Sequence, residues 1–216
     1  MLREKWLGQL KQHRAIAVIR APRFEVGVQM AWATAAGGIR LIEITWNSEQ
    51  ATDLISQLRS VLPGCVVGAG TLLTLEDLQG AIAAGAEFCF TPHTNLTLIQ
   101  AAAKRQIPII PGALSSTEIV TAWQAGAPCV KVFPVDSVGG SRYISSLQGP
   151  LGQIPLIPTG GVTVENAKDF LAAGAIAVGL SSSLFPKTAV AQGDWSVISD
   201  RAKVLMNAIA AMKSVT

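Results

Sequence analysis

Four near copies of one short pattern, Ala36-Gly37-Gly38-Ile39, Ala84-Gly85-Ala86-Glu87, Ala125-Gly126-Ala127-Pro128 and Ala173-Gly174-Ala175-Ile176, mark the chain at steps of 48, 41 and 48 residues. Each copy closes a stretch of helical periodicity and opens an apolar run. Its glycine stands where a helix C-terminus needs a left-handed residue. A step of this length holds about two strand-helix units, so the copies precede the second, fourth, sixth and eighth strands. Between them Gln106-Ile107-Pro108-Ile109-Ile110-Pro111-Gly112 is echoed by Gln153-Ile154-Pro155-Leu156-Ile157-Pro158-Thr159-Gly160, which gives the fifth and seventh. The eight expected strands run from Ala15 to Arg20, Ile39 to Thr45, Cys65 to Thr71, Glu87 to Thr91, Ile107 to Pro111, Cys129 to Phe133, Leu156 to Thr159 and Ile176 to Gly179. Strict alternation of strand and helix builds a parallel sheet. The repetition fits a (β/α)8 barrel better than an open doubly wound sheet, which would show one dominant switch-point loop. The expectation is a single α/β domain over residues 1–216, a (β/α)8 TIM barrel with a short N-terminal helix.

Composition supports a closed core. Half of the residues are hydrophobic and only 14% are charged, with a mean hydropathy of +0.41, as expected of strands covered on both faces. The net charge of +3 arises from scattered residues, with no basic block longer than Lys104-Arg105, which argues against a nucleic-acid partner. No run approaches the roughly 18 apolar residues of a membrane span. Met1-Leu2-Arg3-Glu4-Lys5-Trp6-Leu7 reads as a short amphipathic helix, not an apolar leader. Cys65, Cys89 and Cys129 are odd in number and far apart. They match neither a disulfide framework nor metal-ligand spacing, which points to a reducing, cytoplasmic setting.

Two charges interrupt otherwise apolar strands, and burying a charge is costly unless a partner or a function compensates. In Leu41-Ile42-Glu43-Ile44-Thr45 the period of two puts Glu43 on one face with Leu41 and Thr45, inside the barrel, while Ile42 and Ile44 meet the helices. By the same rule Lys131 shares a face with Cys129 and Phe133, and Val130 and Val132 pack outward. One reading is a buried ion pair without a catalytic task. The other is a lysine whose apolar surroundings favour the neutral, nucleophilic amine, with Glu43 moving protons.

The loops after the last two strands, Pro158-Thr159-Gly160-Gly161-Val162-Thr163 and Gly179-Leu180-Ser181-Ser182-Ser183-Leu184, lie where barrels commonly bind phosphate. Glycines let backbone N–H groups approach an anion, and a short helix starting after the eighth strand would add its dipole.

With these residues in hand, the chain resembles the 2-keto-3-deoxy-6-phosphogluconate (KDPG) aldolase family, which includes 4-hydroxy-2-oxoglutarate (KHG) aldolases. The resemblance is carried by Ile42-Glu43-Ile44-Thr45, Val67-Gly68-Ala69-Gly70-Thr71, Thr91-Pro92, Pro111-Gly112, Val130-Lys131-Val132-Phe133-Pro134 and Pro158-Thr159-Gly160-Gly161. It implies a trimeric barrel that works through a Schiff base with no metal and no cofactor. It further implies that Lys131 forms the imine with pyruvate, Glu43 is the general acid/base acting through water, and Thr71 hydrogen-bonds the pyruvate carboxylate. Thr159 would stand beside the aldehyde carbon, and Gly160, Gly161, Ser181 and Ser182 would hold the phosphate. The partners implied are small molecules, a 2-oxo acid and a phosphorylated aldehyde.

One stretch departs from the family pattern. Trp46-Asn47-Ser48 stands where many members carry an arginine that pairs with the substrate carboxylate. Asn47 can hydrogen-bond that group but brings no charge, and a charge-assisted fork is stronger. Arg20, ending the first strand beside the second, is the candidate replacement. The wording Glu43-Ile44-x-x-Asn47-Ser48 is also similar to that of 2-keto-3-deoxy-6-phosphogalactonate aldolases. Decarboxylation of oxaloacetate through the same imine is a further alternative. So is a non-catalytic barrel that binds phosphometabolites, with Lys131 as an anion anchor. His93, beyond the fourth strand, is either a substrate contact or a solvent-facing loop residue.

Overall fold

The structure is a computed structural model that describes residues 2–213. Helix α1 (Leu2–His13) precedes β1 (Ala15–Ile19), after which helices and strands alternate: α2 (Phe24–Ala36), β2 (Leu41–Thr45), α3 (Ala51–Val61), β3 (Val66–Gly70), α4 (Leu75–Ala83), β4 (Cys89–Phe90), α5 (Leu96–Lys104) and β5 (Ile109–Ile110). Then come β6 (Gly112–Ala113), α6 (Ser116–Gln124), β7 (Val130–Val132), a 3-10 turn at Asp136–Val138, α7 (Ser141–Leu151), β8 (Leu156–Pro158), α8 (Ala167–Ala172), β9 (Val178–Leu180), α9 (Lys187–Gln192) and α10 (Trp195–Lys213). The left-handed glycines follow the helices as expected, with φ of 96° at Gly38, 90° at Gly85, 101° at Gly126 and 100° at Gly174.

All strand pairs are parallel, in the orders β5-β4-β3-β2-β1-β9 and β6-β7-β8. β5 and β6 are two halves of the fifth strand, separated by Pro111, which has no N–H to give to the ladder. Thr159 bridges to Gly179, and the Ile176 N–H donates to the Leu156 carbonyl at 3.0 Å, joining β8 to β9. These links close the eight-stranded (β/α)8 barrel. The strands are shorter than expected at several ends: the second begins at Leu41, and the fourth is reduced to Cys89–Phe90. The short helix after the eighth strand begins at Lys187, behind Pro186 at its N-cap. It therefore cannot aim the N–H groups of Ser181 and Ser182 as part of its first turn, contrary to the expectation.

Period-two alternation separates two apolar layers. Ile42, Ile44, Val130, Val132, Val178 and Leu180 pack against the helices, whereas Ile16, Val18, Leu41, Phe90, Ile110 and Ile157 fill the barrel interior. At the N-terminal end of the strands Trp6 and Leu10 of α1 join the interior cluster. Trp6 stacks on Phe88 with ring centroids 4.8 Å apart, and its indole N–H donates to the Cys129 sulfur at 3.4 Å. Each such buried side chain contributes roughly 1.5–3 kcal/mol. This plug closes one end of the barrel and leaves the C-terminal ends of the strands for chemistry. The three cysteines are buried thiols without disulfides. Burial pushes Cys89 and Cys129 up to about 12, which makes them inert packing groups. No described helix is long and apolar enough to cross a membrane.

Candidate active site

Lys131 stands at the centre of β7, between Val130 and Val132 in the outer layer, and is 5% exposed inside the barrel. Its backbone is fixed by an N–H donated to the Pro111 carbonyl at 2.9 Å. Its Nζ lies 4.9 Å from the Phe133 ring centroid and 5.4 Å from that of Phe90. Glu43 enters from β2, paired in register with Val18 of β1 and Gly68 of β3, and is 1% exposed. Its Oε1 is buried with no hydrogen-bond partner. The two residues therefore share the interior without closing into a hydrogen-bonded pair at that oxygen, as a purely structural ion pair would. Burial pushes the Glu43 carboxyl above the usual carboxylate range, against the downward pull of Lys131 and then of Arg20. A carboxyl raised in this way holds its proton to higher pH than a free carboxyl does, which suits a group that must both give and take a proton.

Space for Glu43 is made by Gly70 at the end of β3. A Cβ on Gly70 would overlap Glu43 Oε1 and Cδ and lie 2.7 Å from Cγ. Next in sequence, Thr71 has φ 62°, a left-handed backbone that is unusual for a β-branched residue. Such strain collects at functional sites. Thr159, 6% exposed, follows β8 beside the Lys131 strand and donates its N–H to the Val132 carbonyl at 2.9 Å. Gly179 across the bridge leaves room for it, since a Cβ there would sit 2.5 Å from the Thr159 hydroxyl oxygen. Gly160 and Gly161 have φ of 82° and 86°. They pack under the turn after Lys131, where the Val135 N–H donates to the Thr159 carbonyl and that of Asp136 to the Gly160 carbonyl.

The loops after β1 and β2 are clamped together by a residue that the sequence reading passed over. Ser48 Oγ accepts the Ala21 N–H at 2.9 Å and lies 3.2 Å from the buried Thr45 hydroxyl, while the Glu49 N–H donates to the Ala21 carbonyl at 3.1 Å. This clamp brings Arg20 and Asn47 to one wall. Together with Ser181 and Ser182 they line a cleft of about 630 Å³. Four residues expected on separate grounds thus meet around one space, whose lining does not extend to Lys131, Glu43, Thr71, Thr159 or the double glycine. A smaller hollow of about 390 Å³ lies under α1, lined by residues such as Trp6, Cys65 and Glu87 and by none of the expected site residues.

Ser183 was also missed. Its hydroxyl accepts the Val164 N–H at 3.1 Å and its carbonyl accepts from Arg201 Nε at 2.6 Å, which ties the serine turn to the double-glycine loop and to α10. His93 is exposed; its carbonyl accepts the Thr91 hydroxyl at 2.6 Å. Among the described residues no group of three or more His, Cys, Asp or Glu side chains is arranged to hold a metal ion.

A model of the family described as KDPG and KHG aldolase matches residues 7–201. The chain belongs to this family. The 2-dehydro-3-deoxy-phosphogluconate aldolase of Treponema pallidum (strain Nichols) is 35% identical over 190 residues, 88% of this chain and 90% of the relative. The KHG/KDPG aldolase of Escherichia coli (strain K12) is 34% identical over 188 residues, 87% of this chain and 88% of the relative. The fold superposes with a TM-score of 0.85 on a KDPG aldolase from Legionella pneumophila with pyruvate captured as a covalent carbinolamine. That structure is 29% identical, and the match covers 92% of this chain and 97% of that one. The KDPG/KHG resemblance and the barrel read from sequence are borne out.

Proposed function

We propose that the chain is a class I aldolase that reversibly cleaves 2-dehydro-3-deoxy-6-phosphogluconate to pyruvate and glyceraldehyde 3-phosphate. The same site would cleave 4-hydroxy-2-oxoglutarate to pyruvate and glyoxylate. The observation that carries this reading is Glu43: a buried carboxyl, raised by desolvation and unpartnered at Oε1, in the field of a buried lysine on the facing wall. The Lys131 amine adds to the C2 carbonyl, and loss of water gives the imine. Glu43, through a water, protonates the departing hydroxyl and then takes the proton of the C4 hydroxyl. The C3–C4 bond breaks, its electrons pass to the imine nitrogen as an enamine, and the aldehyde leaves. Protonation at C3 and hydrolysis release pyruvate and restore the amine.

Arg20, facing the cleft beside Asn47, supplies the cation for the pyruvate carboxylate, with Thr71 adding its hydroxyl. Thr159 flanks the aldehyde carbon, and Gly160, Gly161, Ser181 and Ser182 receive the phosphate. Asn47 in the usual arginine place favours a second reading on the epimeric phosphogalactonate, and oxaloacetate decarboxylation uses the same imine. An anion binder without catalysis would gain nothing from a carboxylate aimed at its ligand. The chain forms a single domain, works in the cytoplasm and assembles as a homotrimer. Exposed Leu73 and Leu96, on neighbouring loops at 53% and 47%, offer apolar contact for that assembly.

Incubation with pyruvate, reduction with borohydride and mapping of the adduct test the reading. The expected mass addition is at Lys131, and its absence there rejects the aldolase. Turnover of the two epimeric phosphorylated acids and of 4-hydroxy-2-oxoglutarate then ranks the substrates.

A further inference from the structure

The double-glycine loop brings backbone N–H groups to the phosphate but no cation. The charged side chain packed on it is Asp136, whose Oδ2 would lie 3.0 Å from a Cβ at Gly161. A phosphate dianion held there needs positive charge from elsewhere. The cleft that holds Ser181 and Ser182 has it. Besides Arg20, its lining includes Arg23 and Lys187, and no carboxylate.

Arg23 is the N-cap residue of α2 and is exposed at the mouth of the cleft. Lys187 opens α9 and lines the same cleft. Neither takes part in an ion pair among the described residues, whereas Arg59, Arg201 and Lys203 each meet a carboxylate. With Arg20 engaged by the carboxylate, Arg23 and Lys187 remain as like charges around one space, and an anion between them relieves their repulsion. The wall behind them is apolar, formed by Val26, Met30, Phe185 and Val190. A low-dielectric wall concentrates the field on whatever enters.

We propose that Arg23 and Lys187 form a cationic lip that binds the phosphate of the aldehyde half, completing the phosphate site of Ser181 and Ser182. The lip therefore sets preference for phosphorylated over unphosphorylated 2-oxo acids. It rests on the reading of the site as an aldolase but adds residues that neither the motif nor the loop positions assign.

Arg23→Gln and Lys187→Gln, singly and together, are the test. The ratio of kcat/KM for the phosphorylated acid to that for 4-hydroxy-2-oxoglutarate is expected to fall about tenfold per residue, mainly through KM for the phosphorylated acid. Arg23→Lys should recover part of the ratio. Glycerol 3-phosphate, which has no aldehyde to react, separates this proposal from the catalytic one. Calorimetry should show it binding the wild-type chain and Lys131→Met alike, and at least tenfold more weakly to the double variant. Equal binding by wild type and double variant, or no binding to the wild type, overturns the lip even if pyruvate is trapped on Lys131. Loss of the pyruvate adduct with that binding pattern intact removes the aldolase and leaves the anion site standing.

Discussion

Gly70 leaves the space in which the Glu43 carboxylate stands: no other residue type at the end of β3 lets Oε1 keep its position. Gly70→Ala therefore moves the carboxyl away from the substrate while Lys131, on the far wall, stays in place. Misplacing a general acid/base costs about 10²–10⁴ in rate. The expected outcome is a kcat for cleavage lowered by at least about 10², with pyruvate still trapped slowly on Lys131. Overpacking should also lower folding stability by about 1–3 kcal/mol. A kcat within a factor of about three of wild type would show that the carboxyl is free to stand elsewhere.

The raised Glu43 carboxyl has a signature in stability. In the unfolded chain it ionises in the ordinary range, and in the folded chain only at higher pH. Between those values the folded state binds the extra proton, so stability falls as pH rises through the window and then levels off. The penalty is absent below the unfolded pKa and fully present above the folded one. Each pH unit of the window weakens folding by about 1.4 kcal/mol. Glu43→Gln should thus be more stable than wild type at pH 8 and equal to it near pH 4, while losing cleavage activity. Denaturant midpoints at the two pH values check this; a difference that does not change with pH contradicts it.

Arg20 is the second cation acting on Glu43 and also lines the cleft. Arg20→Ala is expected to weaken pyruvate binding about tenfold or more and to move the Glu43 limb of the pH–rate profile upward, because one opposing charge is gone. Both effects should appear in the same variant. Unchanged pyruvate affinity removes Arg20 from the carboxylate site.

How far the sequence could be read follows from which interactions are periodic. Glu43 and Lys131 could be placed inside the barrel because a strand allows only two faces, and Ile42, Ile44, Val130 and Val132 claimed the outer one. The helix-end glycines were legible because only a left-handed residue fits there. Ser48 and Ser183 were not. Their bonds run to segments distant in sequence, Ser48 to Ala21 and Ser183 to Val164 and to Arg201 of α10, and no local pattern announces such partners. The expectation that a short helix after the eighth strand would turn its donors and dipole toward the serines fails for a similar reason. Ser181 does open a turn, with its carbonyl accepting from Leu184 and Phe185, but Pro186 delays the helix to Lys187.

The Ser48 clamp is testable through both stability and binding. Ser48→Ala strands the buried Ala21 N–H without its acceptor, at a cost of about 1–3 kcal/mol. It also frees the wall that carries Arg20 and Asn47, so pyruvate affinity should fall although Ser48 is not among the cleft-lining residues. Ser48→Thr keeps the oxygen and should recover most of both. A loss of stability with pyruvate binding intact would mean that the clamp serves folding alone.

Leu73 lies two residues beyond the strained Thr71, and Leu96 opens α5 on the neighbouring loop. If these leucines are buried between copies of the chain, assembly holds the segment that carries the Thr71 hydroxyl. Leu73→Glu with Leu96→Glu removes about 1.5–3 kcal/mol of apolar burial per side chain and sets like charges against the partner. Light scattering at micromolar concentration should then report the mass of one chain, against the three expected of wild type on the proposed assembly. Pyruvate affinity should drop in parallel, because Thr71 loses its support. A trimer that survives both substitutions puts the interface on another face.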